Sequence, residues 1–365
     1  MPREPTRQLT FTVPGSRPHW HYDAVTLPVG RNQLLIKIEA ASFGSVDLAI
    51  LNTTSLWGSV GEKGLGRDFA GTVVEVGSSL KGKWNEGDNV CGMYFHPYYA
   101  GTIASHIVIN PNTDYIVTRP DFLPLYEAAA FPLSFTVAYQ ALKNSKLTQS
   151  STVCVLGGAT SVGMFAIQLL KKHFLVKKVV ATCSPASESI VRLLGADETI
   201  DYTQLRGPHL ISALLRALAG PYAAEDDEVM SKDAIAPAAK SGFDFVLDTV
   251  GTTPYMLQHQ AELTPAKTGW FVSTVGDADA QEGSTFLNSY NAGRSLFGAI
   301  VGPRYKVQYA VSSKEALELA VSLYQQERLK IVVDSVTLWG DFKTAVDKVK
   351  KRTAKGKVVL KVEPF

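Results

Sequence analysis

Residues 153–163 read VCVLGGATSVG, and this stretch decides how the middle of the chain folds. The apolar run 153–156 predicts a buried strand, and the segment 161–173 has the apolar spacing of a helix. A glycine-rich turn joins the two. In a strand–turn–helix unit of this kind, free backbone N–H groups and the positive end of the helix dipole face the space above the turn. Such a turn is typical of a site for pyrophosphate.

The glycine spacing is close to the dinucleotide-binding pattern G-x-G-x-x-G. Gly158 and Gly163 take its outer positions, and Thr160 replaces the middle glycine. A threonine hydroxyl at this position could bond a phosphate oxygen. The Walker A pattern is excluded, because Met164 and Phe165 follow where Lys and Ser or Thr are required. The alternative interpretation is a plain tight turn whose glycines serve packing.

Strand-like and helix-like segments alternate on both sides of this turn. Near-continuous apolar strands joined by amphipathic helices predict a parallel sheet covered on both faces, which is a doubly wound α/β domain. The further strands are predicted at 178–183, 198–202, 243–250 and 269–276, with helices at 186–195, 209–219 and 254–263. The acidic stretch 221–242 interrupts the alternation and is interpreted as an exposed insertion.

The residues before about 126 have a different character. Short β segments separated by Pro, Asn and Gly predict a curled antiparallel sheet or partial barrel. Helical spacing follows in 125–144, with an interruption at Pro132. After a helix at 313–329, a β–helix–β pattern at 332–362 returns to the first kind of domain. We therefore predict one domain from 1–125 and 313–365, and a second from 126–312.

Composition limits the classes of function. The chain has 365 residues, of which 36 are basic and 34 acidic, and this balance gives no electrostatic footprint for nucleic acid. No apolar run is long enough to span a bilayer, and the N-terminus lacks the pattern of a signal peptide. The default expectation is a cytoplasmic protein. Cys91, Cys154 and Cys183 are widely spaced and indicate neither a disulfide framework nor a zinc knuckle.

The end of the second predicted strand indicates the type of nucleotide. Sites for NAD usually carry an acidic residue there, which binds the ribose 2′-hydroxyl. This chain has Ser184 instead, and no carboxylate follows before Glu188. Tyr202, at the end of the third strand, could donate to a 2′-phosphate. These residues favour NADPH as the cofactor. Ser184 could alternatively be a simple N-cap.

Several motifs together resemble the zinc-independent medium-chain reductases, the group of the quinone oxidoreductases and the mitochondrial reticulon-interacting reductase. The segments that carry the resemblance are GRDFAGTVVEVG (66–77), GDNVCG (87–92), EAAAFPLSFTVAYQAL (127–142), VLGGATSVG (155–163), LGADETIDY (194–202), FDFVLDTVG (243–251) and GKVVLKV (356–362). Residues 83–94 and 352–362 are most similar to the fungal Yim-type branch. The resemblance implies a Rossmann domain, a mainly β GroES-like catalytic domain and NADPH. It also implies a homodimer through the edge of the Rossmann sheet at 305–311, and lipid particles or mitochondria as alternative locations.

The resemblance also assigns site residues one by one. Thr160, Ser161 and Val162, with Gly158 and Gly163, match the loop over the pyrophosphate. Tyr202 and Arg352 match positions that hold the 2′-phosphate, although Arg352 could be one cation of a solvated helix face. The positions that line the nicotinamide and ribose are Thr249, Val250, Thr274 and Val275.

Zinc is not expected, on the same residue-by-residue comparison. Zinc-dependent relatives carry His then Glu where this chain has Arg67 and Asp68, and a ligand Cys where it has Gly44. Arginine stays protonated and cannot serve as a ligand. Many zinc-free relatives carry a polar Asn near Gly44, so a group that would orient the acceptor oxygen is missing. Asp47 is interpreted as structural.

The resulting hypothesis is an NADPH-dependent oxidoreductase that reduces quinones or conjugated carbonyl compounds by hydride transfer. An enoyl-thioester reductase is an alternative within the same fold. A catalytically weak NADPH-binding scaffold or stress-response protein is another, because Gly44 and Val137 replace polar residues common in relatives. Tyr94 is the candidate proton donor, with Tyr98 and Tyr99 as further candidates.

Overall fold

The structure is a computed structural model of the chain. It describes residues 3–13, 15–52, 61–94, 96, 100–219, 242–251, 256, 259–264, 269–275 and 304–363. These residues divide into two compact units. Among the described residues, the first unit holds those up to 136 and those from 310 onward, and the second holds those in 137–275 and 304–309. The first unit therefore contains both ends of the chain.

The described strands and helices are numbered in chain order. The strands are β1 Arg3–Phe11, β2 His19–Thr26, β3 Leu34–Phe43, β4 Lys63–Gly64, β5 Asp68–Val76, β6 Asn89–Met93, β7 His106–Ile109, β8 Ile116–Thr118, β9 Thr152–Leu156, β10 Lys178–Cys183, β11 Glu198–Asp201, β12 Phe245–Asp248, β13 Trp270–Ser273, β14 Arg304–Val307, β15 Val333–Leu338 and β16 Lys357–Lys361. The α-helices are α1 Ser45–Asn52, α2 Leu125–Ala128, α3 Pro132–Lys143, α4 Ser161–Lys172, α5 Glu188–Leu193, α6 Pro208–Ala219, α7 Gln260–Leu263, α8 Lys314–Gln325 and α9 Phe342–Lys350.

The second unit contains a parallel six-stranded sheet in the order β11-β10-β9-β12-β13-β14. This order is that of a dinucleotide-binding sheet, in which the chain starts at a central strand and winds outward in both directions. All five residues of β9 are buried, as expected for a strand with helices on both faces. The predicted α/β Rossmann architecture is confirmed, and the switch point lies between β9 and β12.

The first unit contains a three-stranded sheet, β2-β1-β4, and a seven-stranded sheet in the order β15-β16-β3-β5-β6-β8, with β7 also paired to β3. Pairing in the larger sheet is antiparallel except between β15 and β16. The C-terminal strand β16 pairs directly with β3, so the two chain ends build one sheet. The expected mainly β, GroES-like architecture is confirmed.

One core fills the first unit, and its members come from both ends of the chain. Phe11, Ile36 and Phe69 are buried in it with Trp339 and Leu360 of the C-terminal segment. Burial of such apolar side chains contributes about 1.5–3 kcal/mol each. The C-terminal segment is thus an integral part of this unit.

Local signals in the sequence explain most of the element boundaries. The predicted break at Pro132 is present: α2 ends at Ala128, and α3 begins at Pro132, where the missing N–H of proline is not needed. The predicted insertion 221–242 lies outside the described residues except for Gly242. Of the predicted helix 254–263, α7 covers Gln260–Leu263, and most of the preceding residues lie outside the described part. Among the described helices, none combines the length and apolar character needed to cross a bilayer.

Candidate functional site

The turn after β9 is shaped by two adjacent glycines and by Thr182 of the neighbouring strand. Gly157 has a φ of +85°, a conformation that favours glycine, and its N–H donates to Oγ1 of Thr182 at 2.8 Å. The N–H of Gly158 donates to the carbonyl oxygen of Thr182, also at 2.8 Å. A Cβ on Gly163 would lie 2.2 Å from the carbonyl oxygen of Gly157, so α4 approaches the turn as closely as backbone atoms allow.

Thr160 holds the turn together from the inside. Thr160 is the N-cap of α4, and its Oγ1 accepts the N–H of Gly163 at 3.0 Å. The same oxygen lies 2.9 Å from the carbonyl oxygen of Gly157 and 2.8 Å from Oγ1 of Thr249. Oγ1 of Thr249 in turn donates to the carbonyl oxygen of Leu156 at 2.8 Å. The hydroxyl of Thr160 therefore connects the ends of β9 and β12 across the switch point.

Three backbone N–H groups remain available at this turn. Ala159, Ser161 and Val162 donate no hydrogen bond to any group in the described part of the chain, and all three are partly exposed. They lie at the N-terminal, positive end of the twelve-residue helix α4. Free N–H donors at a glycine turn suit an anionic ligand, and pyrophosphate fits this donor set. The residues present therefore fit the diphosphate of a dinucleotide cofactor.

A buried carboxylate organises the ends of β12 and β13. Asp248 is fully buried; its Oδ1 accepts the N–H of Val250 at 3.1 Å, and its Oδ2 accepts from Oγ of Ser273 at 3.0 Å. The N–H of Thr274 donates to the carbonyl oxygen of Asp248 at 2.9 Å, and Val275 follows directly. The structure thus brings the predicted lining residues of both strand ends to one edge of the sheet, close to the glycine turn.

Two of the three residues predicted near a 2′-phosphate follow adjacent strands. Ser184 follows β10 and Tyr202 follows β11, and these strands pair in register at their last residues. The ring of Tyr202 is half exposed, and Oγ of Ser184 lies 3.5 Å from Oγ of Ser187 without capping a backbone N–H. Two carboxylates lie near these strand ends. Glu188 accepts from Nε of Arg192 at 2.8 Å and from a threonine hydroxyl of β11, and Asp201, the partner of Cys183 in the sheet, accepts from the N–H and Oγ1 of Thr203 at 2.8 and 2.7 Å. Both carboxylates are therefore already engaged by groups of this unit.

The remaining predicted residues, Arg352 and Tyr94, lie in the other compact unit. Arg352 is exposed, follows the end of α9 and has a φ of +54°. Tyr94 follows β6, and its N–H donates to the carbonyl oxygen of Arg67 at 2.8 Å. The ring of Tyr94 packs on the core and on the imidazole of His96, with 4.4 Å between ring centroids. Tyr98 and Tyr99 lie outside the described residues.

A buried ion pair joins Asp47 to Arg67, the residue that stands where the sequence comparison places a ligand histidine. Asp47 accepts the N–H groups of Gly44 at 2.9 Å and Gly66 at 2.8 Å, and its Oδ1 lies 3.9 Å from Nε of Arg67. Arg67 is almost fully buried and donates to the carbonyl oxygen of Gly64 at 2.7 Å. Burial raises the pKa of Asp47, and the Arg67 charge opposes that shift. The guanidinium therefore compensates a carboxylate that has no access to water.

A second buried pair lies beside the first. Asp68 is fully buried and accepts from Nζ of Lys357 at 2.7 Å, from Oγ of Ser42 at 2.8 Å and from the N–H of Leu133 at 2.6 Å. A Cβ on Gly44 would lie 3.6 Å from Nζ of Lys357. The two pairs, Arg67 with Asp47 and Lys357 with Asp68, together form a neutral buried cluster beside Gly44. Within the residues that the structure describes, no group of three His, Cys, Asp or Glu side chains could hold a metal ion.

The sequence predictions missed three residues of the glycine turn and its surroundings. Gly157, rather than Gly158, adopts the positive φ, and the doubled glycine in the sequence was the available signal. Thr182 and Asp248 hold the turn and the strand ends through hydrogen bonds. Both are polar residues in the last two positions of otherwise apolar strands, which marks the edge of the sheet where ligands bind.

Family models match both parts of the chain. The alcohol dehydrogenase GroES-like domain matches residues 30–113, and a model described as zinc-binding dehydrogenase matches residues 194–360. The substituted ligand positions, Arg67 and Asp68, lie within the first of these ranges. The matches agree with a GroES-like domain followed by a nucleotide-binding domain.

Two curated proteins of Saccharomyces cerevisiae are similar over nearly the whole chain. Protein AST1 is 32% identical, and the match covers 99% of this chain and 89% of that protein. Protein YIM1 is 26% identical, with 91% of this chain and 90% of that protein covered.

Solved structures share the fold. A quinone oxidoreductase from Coxiella burnetii superimposes with a TM-score of 0.75 at 24% identity, over 99% of this chain and all of that one. The CurK enoyl reductase gives a TM-score of 0.71 at 21% identity, over 98% and 99% of the two chains. Proteins of this family are oxidoreductases whose Rossmann domain binds a nicotinamide cofactor. The chain belongs to the medium-chain dehydrogenase/reductase family, in its zinc-independent, quinone oxidoreductase-like group and the Yim-type branch found in fungi.

Proposed function

We propose that the protein is an NADPH-dependent reductase of quinones or conjugated carbonyl compounds. The observation that carries the proposal is the turn after β9, where three N–H groups remain available at the switch point of a dinucleotide-type sheet. Gly158, Thr160 and Gly163 would shape the turn, and Ser161 and Val162 would donate N–H groups to the diphosphate. Thr249, Val250, Thr274 and Val275 would line the nicotinamide and its ribose.

The choice of NADPH rests on the groups that follow β10 and β11. A carboxylate at the end of β10 would bind the 2′-hydroxyl of NAD and repel a 2′-phosphate. Ser184 stands there, and Glu188 is held by Arg192. The hydroxyl groups of Ser184 and Tyr202 can donate to a phosphate. The family resemblance implies a further positive charge from Arg352.

The buried charge cluster supports the proposed class of acceptor. The positions that could hold a Lewis-acidic metal are filled by Arg67 and Asp68, each already paired with a buried partner. An isolated ketone or alcohol needs polarisation at its oxygen, whereas a quinone or enone is activated by its own conjugation. Bound NADPH would supply the hydride, and the protein would orient the acceptor and exclude water.

Two alternatives lead to different outcomes in one assay. An enoyl-thioester reductase uses the same electron flow, and the CurK enoyl reductase shares the fold. A scaffold that binds NADPH without turnover is suggested by Gly44 and by Val137, which is buried and apolar where a hydroxyl is common. We expect NADPH oxidation with at least one quinone or enone from a panel that also contains enoyl thioesters. Oxidation with thioesters alone would favour the first alternative, and tight binding without any oxidation would favour the scaffold.

We also propose a homodimer formed through β14. This strand is the last of the described sheet, and beyond it Tyr309 is 58% exposed. Within the described residues β14 is an edge strand, and an edge with an exposed aromatic side chain beyond it is suited to pairing with a second copy. Sedimentation velocity of the purified chain at micromolar concentration should give the mass of a dimer, and a monomer at all concentrations would contradict this proposal.

A further inference from the structure

Two neighbouring segments of the second unit form a cationic edge. The segments 142–151 and 170–178, which lead into the adjacent strands β9 and β10, contain six lysines and one histidine but no aspartate or glutamate. The two strands begin side by side, with Thr152 opposite Lys178, so both segments lie at one edge of the sheet. This is the amino-terminal edge, whereas the glycine turn follows the carboxyl end of β9.

Direct contacts join the two segments. The ring centroids of Tyr139 in α3 and of His173 lie 6.3 Å apart, and Nζ of Lys143 lies 5.7 Å from the centroid of the same tyrosine ring. The N–H of Lys177 donates to the carbonyl oxygen of Ser151 at 3.0 Å. The ends of α3 and α4 and the loops after them therefore form one continuous surface.

Three carboxylates at the starts of the neighbouring strands neutralise part of this charge. Oδ2 of Asp197 lies 2.9 Å from Nζ of Lys171, and Oε1 of Glu198 lies 3.5 Å from Nζ of Lys178. Oδ2 of Asp244 accepts the N–H of the first residue of β9 at 2.7 Å. Six lysines against three engaged carboxylates leave this edge with an excess of positive charge.

An apolar side chain projects from the cationic edge. Leu175 is 50% exposed and has a φ of +58°, a left-handed conformation that is less favourable for a bulky apolar residue than for glycine or asparagine. The next residue, Val176, is only 3% exposed and anchors the loop in the core. Lys146 and Lys177 are exposed on the same two loops, and neither forms an ion pair with any described residue. A partner that covers Leu175 and carries negative charge would complement both features.

A bilayer surface that contains anionic lipids is such a partner. Its phosphate and carboxylate groups attract lysines, and the region between headgroups and acyl chains accepts a leucine side chain. Lysines can keep their ammonium groups among the headgroups while their methylene groups lie deeper. Nucleic acid would match the charge, but its phosphate backbone offers no apolar surface to Leu175.

We propose that this edge of the second unit is a reversible docking surface for membranes rich in anionic lipid, with Leu175 as the side chain that inserts. The inference does not depend on the proposed reductase activity. Because the turn after β9 lies at the opposite edge of the sheet, docking through this edge leaves the turn open to a ligand. One leucine and a few lysines give weak binding that responds to salt and to lipid composition.

Sedimentation of the full chain with vesicles tests the proposal. We expect binding to phosphatidylcholine vesicles with about 30% phosphatidylserine to be about tenfold or more stronger than binding to phosphatidylcholine alone, and this difference to vanish at about 1 M salt. K146Q/K177Q removes two positive charges and should weaken binding about tenfold or more. L175N keeps a residue that tolerates a positive φ but removes the apolar group, and should weaken binding about threefold or more.

Matched controls come from the same chain. Leu193 is 64% exposed in the same unit, and L193N should bind vesicles as the wild type does. K350Q/K351Q removes two exposed lysines of the first unit and should change binding by less than about twofold. Circular dichroism of every variant checks that it is folded.

The outcomes separate a membrane surface from other partners. Absence of any preference of the folded wild type for anionic vesicles would overturn the proposal, as would equal losses in the variants and their controls. Loss of binding in K146Q/K177Q without any loss in L175N would overturn the membrane assignment, and competition by poly-glutamate would then identify an acidic protein segment as the partner. None of these results depends on NADPH oxidation, so the proposed function is tested separately.

Discussion

The buried pair of Asp68 and Lys357 gives the sharpest prediction about stability. Substitution D68N leaves the Lys357 ammonium without its charged partner and places an amide between donors from Leu133 and Lys357, at positions 2.6 and 2.7 Å from the present oxygens. Removing one partner of a buried ion pair costs about 3–5 kcal/mol. K357M should cost a similar amount, because Asp68 would remain charged and fully buried.

The double variant D68N/K357M isolates the interaction. Its loss should be smaller than the sum of the two single losses, with a coupling energy of about 1–3 kcal/mol. K361M is the matched control: Lys361 is the exposed last residue of the same strand, and its loss should change stability by less than about 0.5 kcal/mol.

Urea unfolding is the assay, followed by tryptophan fluorescence. Because a chain with two compact units need not unfold in one step, the series is made in a W270F background. The remaining tryptophans then belong to residues 1–136 and 310–365, and report on the first unit. Single-variant losses below about 1 kcal/mol, or strict additivity in the double variant, would refute the idea that this ion pair stabilises the first unit.

Three further predictions concern the turn, the nucleotide and pH. G163A puts a Cβ 2.2 Å from a backbone carbonyl oxygen of the turn, so the Kd for NADPH should rise about tenfold or more, whereas G340A, whose Cβ meets open space, should leave it unchanged; calorimetry of both variants decides. S184D should raise the Kd for NADPH at least about tenfold through repulsion of the 2′-phosphate, and raise that for NADH far less; equal losses for both nucleotides would contradict the assignment. Burial acts to raise the pKa of Asp334, but its bonds to Lys348 and neighbouring groups outweigh this and lower it, so its stabilising contribution is present at neutral pH and is lost as pH falls below about 4 and through the lowered value. D334N should therefore cost about 1–3 kcal/mol in urea unfolding at pH 7 and progressively less as the pH is lowered, and a cost independent of pH would be evidence against it.

Much of the second unit could be predicted because its determinants are local. Parallel strands buried on both faces appear in sequence as short apolar runs, so β9 and β10 were predicted to within a residue of their observed ends. The glycines at 157, 158 and 163 likewise signal a turn that side chains would block. Local patterns of this kind require no knowledge of distant contacts.

The first unit shows what local patterns miss. The contact of Lys357 with Asp68 joins residues 289 positions apart, and no periodicity in either segment indicates it. The sequence also gave no sign that Arg67 pairs with Asp47, although it showed that Arg67 replaces the ligand histidine of zinc-dependent relatives. Burial decides the role of such charged side chains, and burial depends on the packed sheet. The nucleotide contacts depend on a bound ligand as well as on the chain, and they therefore remain predictions.

The central claim is that the turn after β9 binds the diphosphate of NADPH. Isothermal titration calorimetry of the wild-type chain with NADPH and with NADH measures this directly. The account predicts saturable binding of NADPH, at least about tenfold tighter than that of NADH, with the affinity for both reduced in G163A. No detectable binding of either nucleotide by folded protein would contradict it.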